Sequence, residues 1–363
     1  MRVLFLQQQP CIRALKYAAG LAQRAPEIEL GFAYRGLTLS ELYGTGDELF
    51  TGWWPLGDDP AAALPEVLGE FAPDVIHSHN LPDELTVLAL DETGGRIPVI
   101  HDVHDMQSLR RTAYEDGYPE PADALALERR AAQESAALVT VSPELAAELA
   151  ARYRLPRRVV TYANYALGRD LPAPRPPESA LSGPSRLVYQ GTLSVNGGHY
   201  DLRALFAAIA AQGISLDVYP ARDVPEYRSI PGVRVHATLP TAALLQELPA
   251  YDFGWAGFNS ALNGPHLDTA LPNKLYEYLA CGLPVITLEH KALRRMLAEE
   301  GVGIALDSVE DLAGALARAD TGALRARVAA ARERFTVEHE IDRIAALYRE
   351  VADTVASQPL ARS

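Results

Sequence analysis

A short stretch in the second half of the sequence combines an ammonium and a carboxylate at a spacing suited to ligand binding. It spans residues 271–286 and reads LPNKLYEYLACGLPVI. The pattern predicts a turn, a short helix with Lys274 and Glu277 one turn apart, a helix end at Gly282 and a buried strand. The carboxylate can accept both hydroxyls of a ribose, while helix amides and Lys274 can face a phosphate. An ordinary surface ion pair is the alternative interpretation.

Short β-rich runs alternate along the chain with longer helical segments, a pattern typical of parallel sheets covered by helices on both faces. A first series of predicted strands lies at residues 3–6, 28–34, 75–77, 99–101 and 138–141. A second series lies at residues 187–189, 216–219, 233–235, 253–255 and 285–287. Two such series in a chain of 363 residues predict two α/β domains.

A proline-rich segment separates the two series. Residues 171–177 read LPAPRPP, which supplies neither a helix nor the donors of a sheet and suits a semi-rigid connector. We therefore predict a first domain at residues 1–167, a linker at 168–185, a second domain at 186–337 and a helical segment at 338–363.

The overall charge argues against one class of partner. The formal net charge is -14 and the pI about 5.1, whereas nucleic acid is bound by basic stripes. No apolar run reaches the roughly 18 residues of a membrane-spanning helix, so we expect a cytoplasmic protein without a signal peptide. Cys11 and Cys281 are far apart and lack metal-ligand spacing, which favours reduced structural thiols over a disulfide or a zinc site.

The stretch at residues 271–286 resembles the nucleotide-binding signature of the family 4 type (GT4-like) glycosyltransferases. Four further segments resemble parts of the same family: DVIHSH at 74–79, PVIHDVHD at 98–105, VTVS at 139–142 and LVYQGTL at 187–193. Five matches in the right order make the resemblance specific, whereas any one of them alone is weak.

This resemblance implies an α/β chain of the GT-B fold, with two Rossmann-like, doubly wound domains facing a cleft. It implies a nucleotide-sugar donor on the C-terminal domain and an acceptor mostly on the N-terminal domain, to which the terminal helix crosses back. The implied enzyme is a nucleotide-sugar-dependent glycosyltransferase of the hexosyltransferase type. It moves a sugar to an acceptor hydroxyl with retention.

The resemblance also implies roles for individual residues. The carboxylate at the position of Glu277 holds the donor ribose, and Lys274 belongs to the same donor site. The histidine matched by His104 lies beside the transferred sugar, so His104 is the predicted catalytic residue, with neutral and charged forms both accessible near neutral pH. The alternative is a strand-end histidine whose ring is satisfied by Asp102 or Asp105.

Three donor-side positions depart from the family pattern. A second glutamate commonly stands eight positions before the one matched by Glu277, and this chain has Thr269 there. After the glycine turn at Gly191, the positions that commonly supply an arginine and a lysine to the diphosphate hold Thr192 and Gly197. The predicted donor site therefore lacks a carboxylate and two cations.

The charge of a departing diphosphate must still be compensated, because its electrostatic stabilisation is a major part of catalysis. We expect Lys274 to be the principal cation, since lysines occur only at positions 16, 274 and 291. We also expect the backbone amides of residues 194–198 to form an anion-binding nest.

The first loop of the N-terminal domain suits a hydroxyl-rich ligand. Gln7 and Gln9 carry amides that donate and accept together, which makes them candidate acceptor contacts; a solvated turn is the alternative. His79 and His101 are further acceptor-side candidates. For each histidine, a structural role in a buried strand is the alternative.

Neither a metal nor a cofactor is predicted, because the Asp and His residues at 101–105 share one strand and loop rather than forming a recognisable ligand set. The expected partners are the nucleotide-sugar donor and a small-molecule or glycan-precursor acceptor. Arginines at 152–158 weakly favour a peripheral membrane contact. Two alternatives stay open: a catalytically weak GT-B auxiliary or binding protein, and a GT-B nucleotide-sugar epimerase with its own bases.

Overall fold

Two compact units divide the chain. The computed structural model describes residues 1–111, 123–173 and 185–356. Unit 1 comprises Met1–Ala163 and the segment that begins at Val337, and unit 2 comprises Asn164–Thr336. Residues 174–184 of the predicted linker and residues 357–363 of the predicted terminal segment lie outside the described residues.

Each unit contains one parallel sheet, of seven strands in unit 1 and six in unit 2 among the described residues. Unit 1 contains β1 (Arg2–Gln7), β2 (Glu29–Tyr34), β3 (Gly52–Pro55), β4 (Val75–His79), β5 (Val99–Val103), β6 (Ala137–Thr140) and β7 (Val159–Thr161). Unit 2 contains β8 (Arg186–Gly191), β9 (Ser215–Pro220), β10 (Val233–Val235), β11 (Phe253–Trp255), β12 (Val285–Leu288) and β13 (Gly303–Leu306). Every predicted strand is confirmed, whereas β3, β7 and β13 are additional.

Helices connect the strands. Those of unit 1 are α1 (Ile12–Arg24), α2 (Leu39–Tyr43), α3 (Pro60–Phe71), α4 (Glu84–Thr93), α5 (Ala124–Glu134), α6 (Pro143–Arg152), and after the chain returns, α14 (Val337–Glu340) and α15 (Asp342–Ala356). Those of unit 2 are α7 (Arg203–Ala211), α8 (Thr241–Glu247), α9 (Gly264–Leu267), α10 (Asn273–Ala280), α11 (Lys291–Glu300), α12 (Leu312–Arg318) and α13 (Thr321–Ala331). In the described part of the chain, none of the helices is long and apolar enough to cross a membrane.

The strand order of unit 1 places a switch point at its centre. The order is β3-β2-β1-β4-β5-β6-β7, so the direction of winding reverses between β1 and β4. In open α/β sheets, ligands bind outside the carboxyl ends of the strands at such a point. Polar residues close the strands there, and the register places His79 of β4 opposite Asp102 of β5.

Unit 2 has the corresponding order β10-β9-β8-β11-β12-β13, with its switch point between β8 and β11. Helix α10 is fixed at this point through Tyr278. A Cβ on Gly254 of β11 would lie 2.3 Å from the Tyr278 ring, so only glycine lets the ring pack so closely. The Tyr278 hydroxyl also accepts a hydrogen bond from the backbone of Gln190 in β8 (2.8 Å). Lys274 and Glu277 are thereby held at the switch point, because they lie on the same helix.

The returning segment packs against α1 and β4 within unit 1. A Cβ on Gly20 of α1 would lie 2.5 Å from Cγ1 of Val337, so the missing side chain provides the room for this contact. Tyr348 of α15 is fully buried, and its hydroxyl lies 2.6 Å from Nδ1 of His77 in β4. The terminal helix is therefore part of the core of unit 1.

Candidate functional site

Lys274 is a buried cation surrounded by aromatic rings. Its Nζ donates a hydrogen bond to the hydroxyl of Tyr189 (2.9 Å) and lies 4.0 Å from the centre of that ring and 5.1 Å from the centre of the Phe258 ring. Ring faces attract a cation, but burial lowers the pKa of the Lys274 ammonium to about 7. The Glu277 carboxylate only partly offsets this shift in pKa, and no ion pair of the described residues includes Lys274.

The ammonium of Lys274 lies beside the glycine turn that follows β8. A Cβ on Gly191 (φ +117°) would lie 3.7 Å from Nζ. The Tyr189 hydroxyl donates to the carbonyl of Thr192 (2.5 Å) while it accepts from Lys274, and so links the cation to the turn. The amides of Thr192 and Leu193 make no hydrogen bond within the described part of the chain. A cation beside a turn whose backbone amides are free to donate is an arrangement typical of anion-binding sites.

Glu277 is half-buried and places its carboxylate against the end of β8. Its Oε2 accepts a hydrogen bond from Nε2 of Gln190 (2.6 Å), the residue before Gly191. The Oε1 of Gln190 is buried and has no hydrogen-bond partner among the described residues. The Glu277 carboxylate and the Gln190 amide are therefore hydrogen-bonded to each other at the switch point of unit 2, and Oε1 of Gln190 can accept one further hydrogen bond.

The loop after this turn satisfies its own backbone. The N–H of Gly197 donates to Oδ2 of Asp201 (3.0 Å), and the N–H groups of Gly198 and Ser194 donate to other oxygens of the loop. The predicted anion nest at residues 194–198 is therefore wrong for these three amides. Arg203 adds no free cation, because its guanidinium lies 2.7 Å from Asp201.

Thr269 and its neighbour Asp268 serve the local backbone. The Thr269 hydroxyl donates to the carbonyl of His266 (2.8 Å) at the end of α9. The Asp268 carboxylate accepts a hydrogen bond from the backbone of Lys291 (3.4 Å) and lies 3.3 Å from its Nζ, at the start of α11. Asp268 therefore does not replace the glutamate that the family commonly has at the next position.

A buried ion pair organises the carboxyl end of the sheet in unit 1. Nε of Arg13 in α1 donates to both carboxylate oxygens of Asp102 (2.9 and 3.2 Å), and each side chain is at most 4% exposed. Arg13 also donates to the carbonyls of Tyr162 (2.8 Å) and Ala163 (3.2 Å), the last residues before the chain leaves unit 1. Burial alone would raise the pKa of Asp102, but the adjacent guanidinium holds it well below its usual value.

Two stacked histidines lie against the same carboxylate. The ring centres of His77 and His79 are 4.4 Å apart, and one nitrogen of each lies 3.5 and 3.6 Å from Oδ2 of Asp102. Burial lowers the pKa of both imidazoles, so both are neutral at pH 7. The three groups have the composition of a metal-ligand set. Arg13 already neutralises Asp102, however, and a divalent ion would be repelled by that guanidinium, so we still expect no metal here.

His101 belongs to a separate buried group. Its Nδ1 lies 3.0 Å from the Thr86 hydroxyl, and its Nε2 lies 3.4 Å from Oδ1 of Asp83 at the start of α4. Burial lowers the pKa of His101 to about 3. Burial, with a contribution from Glu128, raises the pKa of Asp83 to about 8. Both groups are largely uncharged at pH 7, which favours the structural alternative for His101.

His104 follows β5 directly and is half-buried. Its backbone N–H donates to Oδ1 of Asn80 (3.1 Å), while its Nδ1 is buried without a hydrogen-bond partner among the described residues. Burial lowers the pKa of the ring, and the charges of Asp105 and Asp102 only partly offset this effect. The ring is therefore neutral, and neither aspartate satisfies its Nδ1 as the sequence-based alternative required.

The glutamines of the first loop have different roles. Gln9 joins two loops, since its amide donates to the carbonyl of Leu37 (3.0 Å) and accepts from the backbone N–H of the same residue (3.1 Å). Gln7 is buried and donates to Sγ of Cys11 (3.3 Å). Its Oε1 and that of Gln8 are buried without a partner among the described residues. Gln7 and Gln8 therefore offer more to a ligand than Gln9 does.

The structure thus separates the predicted site residues into groups. The donor candidates at the end of β8 and on α10 lie together: Gly191, Thr192, Lys274 and Glu277. Gly197 and Thr269 lie in local turns of unit 2. The sequence did not single out Tyr189 or Gln190, although both lie in the LVYQGTL segment directly before the glycine turn. Arg13 and Asn80 carried no motif and were also missed.

Two family models match the chain. Residues 48–164 match Glycosyltransferase Family 4, and residues 198–335 match Glucosyltransferase 3-like, C-terminal domain. No curated protein sequence matches at a significant level. The two matched regions lie on either side of the proline-rich segment, one in each half of the chain.

Solved structures share the fold along almost the whole chain. Sucrose-phosphate synthase from Thermosynechococcus elongatus has a TM-score of 0.70 at 14% identity, over 98% of this chain and 100% of its own. Anabaena HepE in complex with UDP-glucose has a TM-score of 0.66 at 15% identity, over 99% and 100%. The lipopolysaccharide outer core galactosyltransferase WaaB has a TM-score of 0.67 at 13% identity, over 96% and 100%. The predicted GT-B fold is confirmed, and the recognised resemblance to GT4-like glycosyltransferases is confirmed by the family model that matches residues 48–164.

Proposed function

We propose that this glycosyltransferase uses a nucleoside-diphosphate sugar, transfers the sugar to an acceptor hydroxyl with retention, and needs no metal ion. The observation that carries the proposal is the ammonium of Lys274, which is buried beside the glycine turn and unpaired among the described residues. A buried cation is costly unless an anion meets it. This edge of unit 2 therefore suits a diphosphate.

The donor is bound by α10 and the end of β8 through two of its parts, the ribose and the diphosphate. The Glu277 carboxylate accepts hydrogen bonds from the ribose hydroxyls, and Gln190 shares its amide between this carboxylate and the ligand. Lys274 and the free amides of Thr192 and Leu193 bind the diphosphate. The similar structure of HepE holds UDP-glucose, which makes uridine nucleotides the first donors to test.

The proposed chemistry is a displacement at the anomeric carbon. The bond between C1 and the diphosphate oxygen breaks as the acceptor oxygen bonds to C1 from the same face. The proton of the acceptor hydroxyl passes to a phosphate oxygen, so no protein base is consumed. The products are the glycosylated acceptor and the nucleoside diphosphate, whose growing charge the ammonium of Lys274 stabilises.

We assign the acceptor to the switch point of unit 1. Oε1 of Gln7 and Oε1 of Gln8 are buried hydrogen-bond acceptors without partners among the described residues. An amide oxygen only accepts, so the groups that satisfy these atoms must donate, as sugar hydroxyls do. His104 supplies a neutral imidazole at the end of β5. These features favour a small hydroxyl-rich acceptor or a glycan precursor.

The first experiment is a thermal-shift panel of nucleoside diphosphates and their sugars, run in the presence of EDTA. We expect one nucleotide to raise the melting temperature, because ligand binding stabilises the folded state by mass action. A radiolabelled sugar donor with that base is then incubated with candidate acceptors. Labelled acceptor supports transfer, an epimerised donor supports the epimerase alternative, and nucleotide binding without either product supports the auxiliary role.

The Glu277→Ala variant tests the donor grip itself. Loss of a charge-assisted acceptor should weaken donor binding by roughly 1 to 3 kcal/mol in calorimetry. Glu247→Ala changes an exposed glutamate at the end of α8 and is the matched control, with wild-type affinity expected. Unchanged donor affinity in Glu277→Ala would remove the ribose role from this residue.

A further inference from the structure

The side chain of Asn80 continues the sheet of unit 1 where β4 ends. Asn80 is 1% exposed, and its backbone N–H donates to the carbonyl of Asp102 (3.1 Å), which extends the pairing of β4 with β5 by one residue. Its Oδ1 then accepts from the N–H of His104 (3.1 Å), and its Nδ2 donates to the carbonyl of Asp105 (2.5 Å). The side-chain amide of Asn80 thus makes one accepted and one donated hydrogen bond to the chain after β5, as a backbone peptide group of β4 would if that strand were longer.

We propose that Asn80 is a positioning residue for the transfer reaction, which holds the His104 ring in place through the backbone of His104 and Asp105. The inference rests on the proposed role of His104. The backbone matters for this ring because Nδ1 of His104 has no hydrogen-bond partner among the described residues. The place of the imidazole is therefore set largely by where its own Cα is held.

Only an asparagine of this length satisfies both loop groups at once. Aspartate in its ionised form, which is measured above pH 8, keeps the acceptor for the His104 N–H but turns a charged oxygen toward the carbonyl of Asp105. Leucine has a similar shape and removes both hydrogen bonds. Either change leaves a partly buried backbone group without its partner, which costs free energy unless the loop moves to find another. We expect the loop, and His104 with it, to shift.

A first test needs no enzymatic turnover. In protein with isotope-labelled histidine, the ring C–H resonance of His104 is identified by its loss in His104→Ala. We expect Asn80→Leu and Asn80→Asp to move or broaden this resonance, while the resonance of His339 in α14, identified in the same way, stays in place. A His104 resonance that is unchanged in both variants would overturn the proposal.

A second test is a double-variant cycle of kcat. Displacement of a reacting group by about 1 Å can cost 100-fold in rate, so we expect Asn80→Leu to lower kcat by about 10- to 100-fold with the donor KM nearly unchanged. If Asn80 acts through His104, then Asn80→Leu combined with His104→Ala should be no slower than His104→Ala alone, within about twofold. Losses that multiply would show that Asn80 acts by another route.

Turnover is measured as labelled sugar released from UDP-glucose, and from the nucleotide sugar selected by the thermal-shift panel, to acceptor or to water. Ser135→Ala is the control, because its buried hydroxyl bonds the carbonyl of Ala131 before β6, at the opposite end of the sheet. We expect it to keep the wild-type kcat. If wild-type protein releases no sugar, the proposed function fails, while the resonance of His104 still decides the role of Asn80. If Asn80→Leu does not fold, Asn80→Asp gives the result.

Discussion

In unit 1 the buried cation Arg13 meets the carboxylate of Asp102 at 2.9 Å, whereas in unit 2 the buried cation Lys274 meets a phenol and aromatic rings. The guanidinium also keeps two backbone carbonyls satisfied. The ammonium of Lys274 has one hydrogen bond, to Tyr189, among the described residues. One cation is therefore complete within its own unit, and the other is not.

This difference distinguishes a buried cation with a structural role, Arg13, from one with a proposed role in ligand binding, Lys274. A buried ion pair with full hydrogen bonding balances its desolvation cost, so no ligand is needed to explain Arg13. Lys274 is buried without forming an ion pair with a carboxylate, and burial lowers its pKa to about 7. Perturbed pKa values of this kind mark candidate functional sites when geometry supports them. The same reasoning argues against a metal ion between His77, His79 and Asp102, because the Asp102 carboxylate is already paired with Arg13.

The largest expected effect concerns the complete pair. Arg13→Met leaves the Asp102 carboxylate buried without its cation, which should lower the free energy of unfolding of unit 1 by about 3 to 5 kcal/mol. Urea unfolding can be followed by the fluorescence of Trp53 and Trp54, which lie in unit 1, in a Trp255→Phe background. This measurement isolates the unit that contains the pair.

Arg24→Met is the matched control for this prediction. Arg24 lies on the same helix and pairs with Asp342 at 2.8 Å, but both side chains are about half exposed. Exposed pairs contribute little, so this variant should unfold close to the wild type. If Arg13→Met were as stable as Arg24→Met, the pair would not be the structural centre that we describe, and the contrast with Lys274 would lose its first half.

A smaller effect is expected at Asp83, a buried carboxyl without a cation. Its pKa is raised to about 8 in the folded state by burial and by Glu128, while an unfolded chain ionises it near 3.8. Between these values the folded state binds the extra proton, so the stability of unit 1 falls as the pH rises through this window. Asp83→Asn removes the penalty and should be more stable than the wild type at pH 8.5, by roughly 1 to 3 kcal/mol.

The advantage of Asp83→Asn should mostly disappear near pH 4, where the wild-type carboxyl is protonated in the folded state and about half protonated in the unfolded chain. Asp58→Asn changes an exposed carboxylate of the same unit and should show no such dependence on pH. The same fluorescence assay at several pH values measures all three proteins. An equal stability difference at pH 4 and pH 8.5 would mean that Asp83 is not neutral when folded.

The sequence predicted the architecture because that information lies in local patterns. Apolar runs separated by helical segments predicted every strand of the two sheets except β3, β7 and β13. Strand β3 was missed since it has four residues, only partly buried, with Trp53 packed on Phe32 at the sheet edge.

The site was only partly predictable, because its decisive contacts join residues far apart in sequence. Lys274 and Glu277 lie in one motif, but their partners Tyr189 and Gln190 precede them by more than 80 residues. Asn80 shows the same limit, since its value lies in two hydrogen bonds to the loop after β5. The sequence spacing of a motif identifies residues that lie on the same helix. Contacts between residues on different elements depend on the strand order of the sheet, which the motif does not contain.

The central claim is that the side chain of Lys274 binds the diphosphate of the donor. At pH 8 the free protein should hold this side chain mostly neutral, and the fixed negative charge of a bound nucleotide sugar should restore the ammonium. Calorimetry at pH 8 in HEPES and in Tris, with the nucleotide sugar selected by the panel, measures the proton taken up. We predict uptake close to one proton per donor for the wild type and for Lys291→Met. Lys274→Met should show none and bind about 10- to 150-fold more weakly. Equal enthalpies in the two buffers, with full affinity in Lys274→Met, would contradict the account.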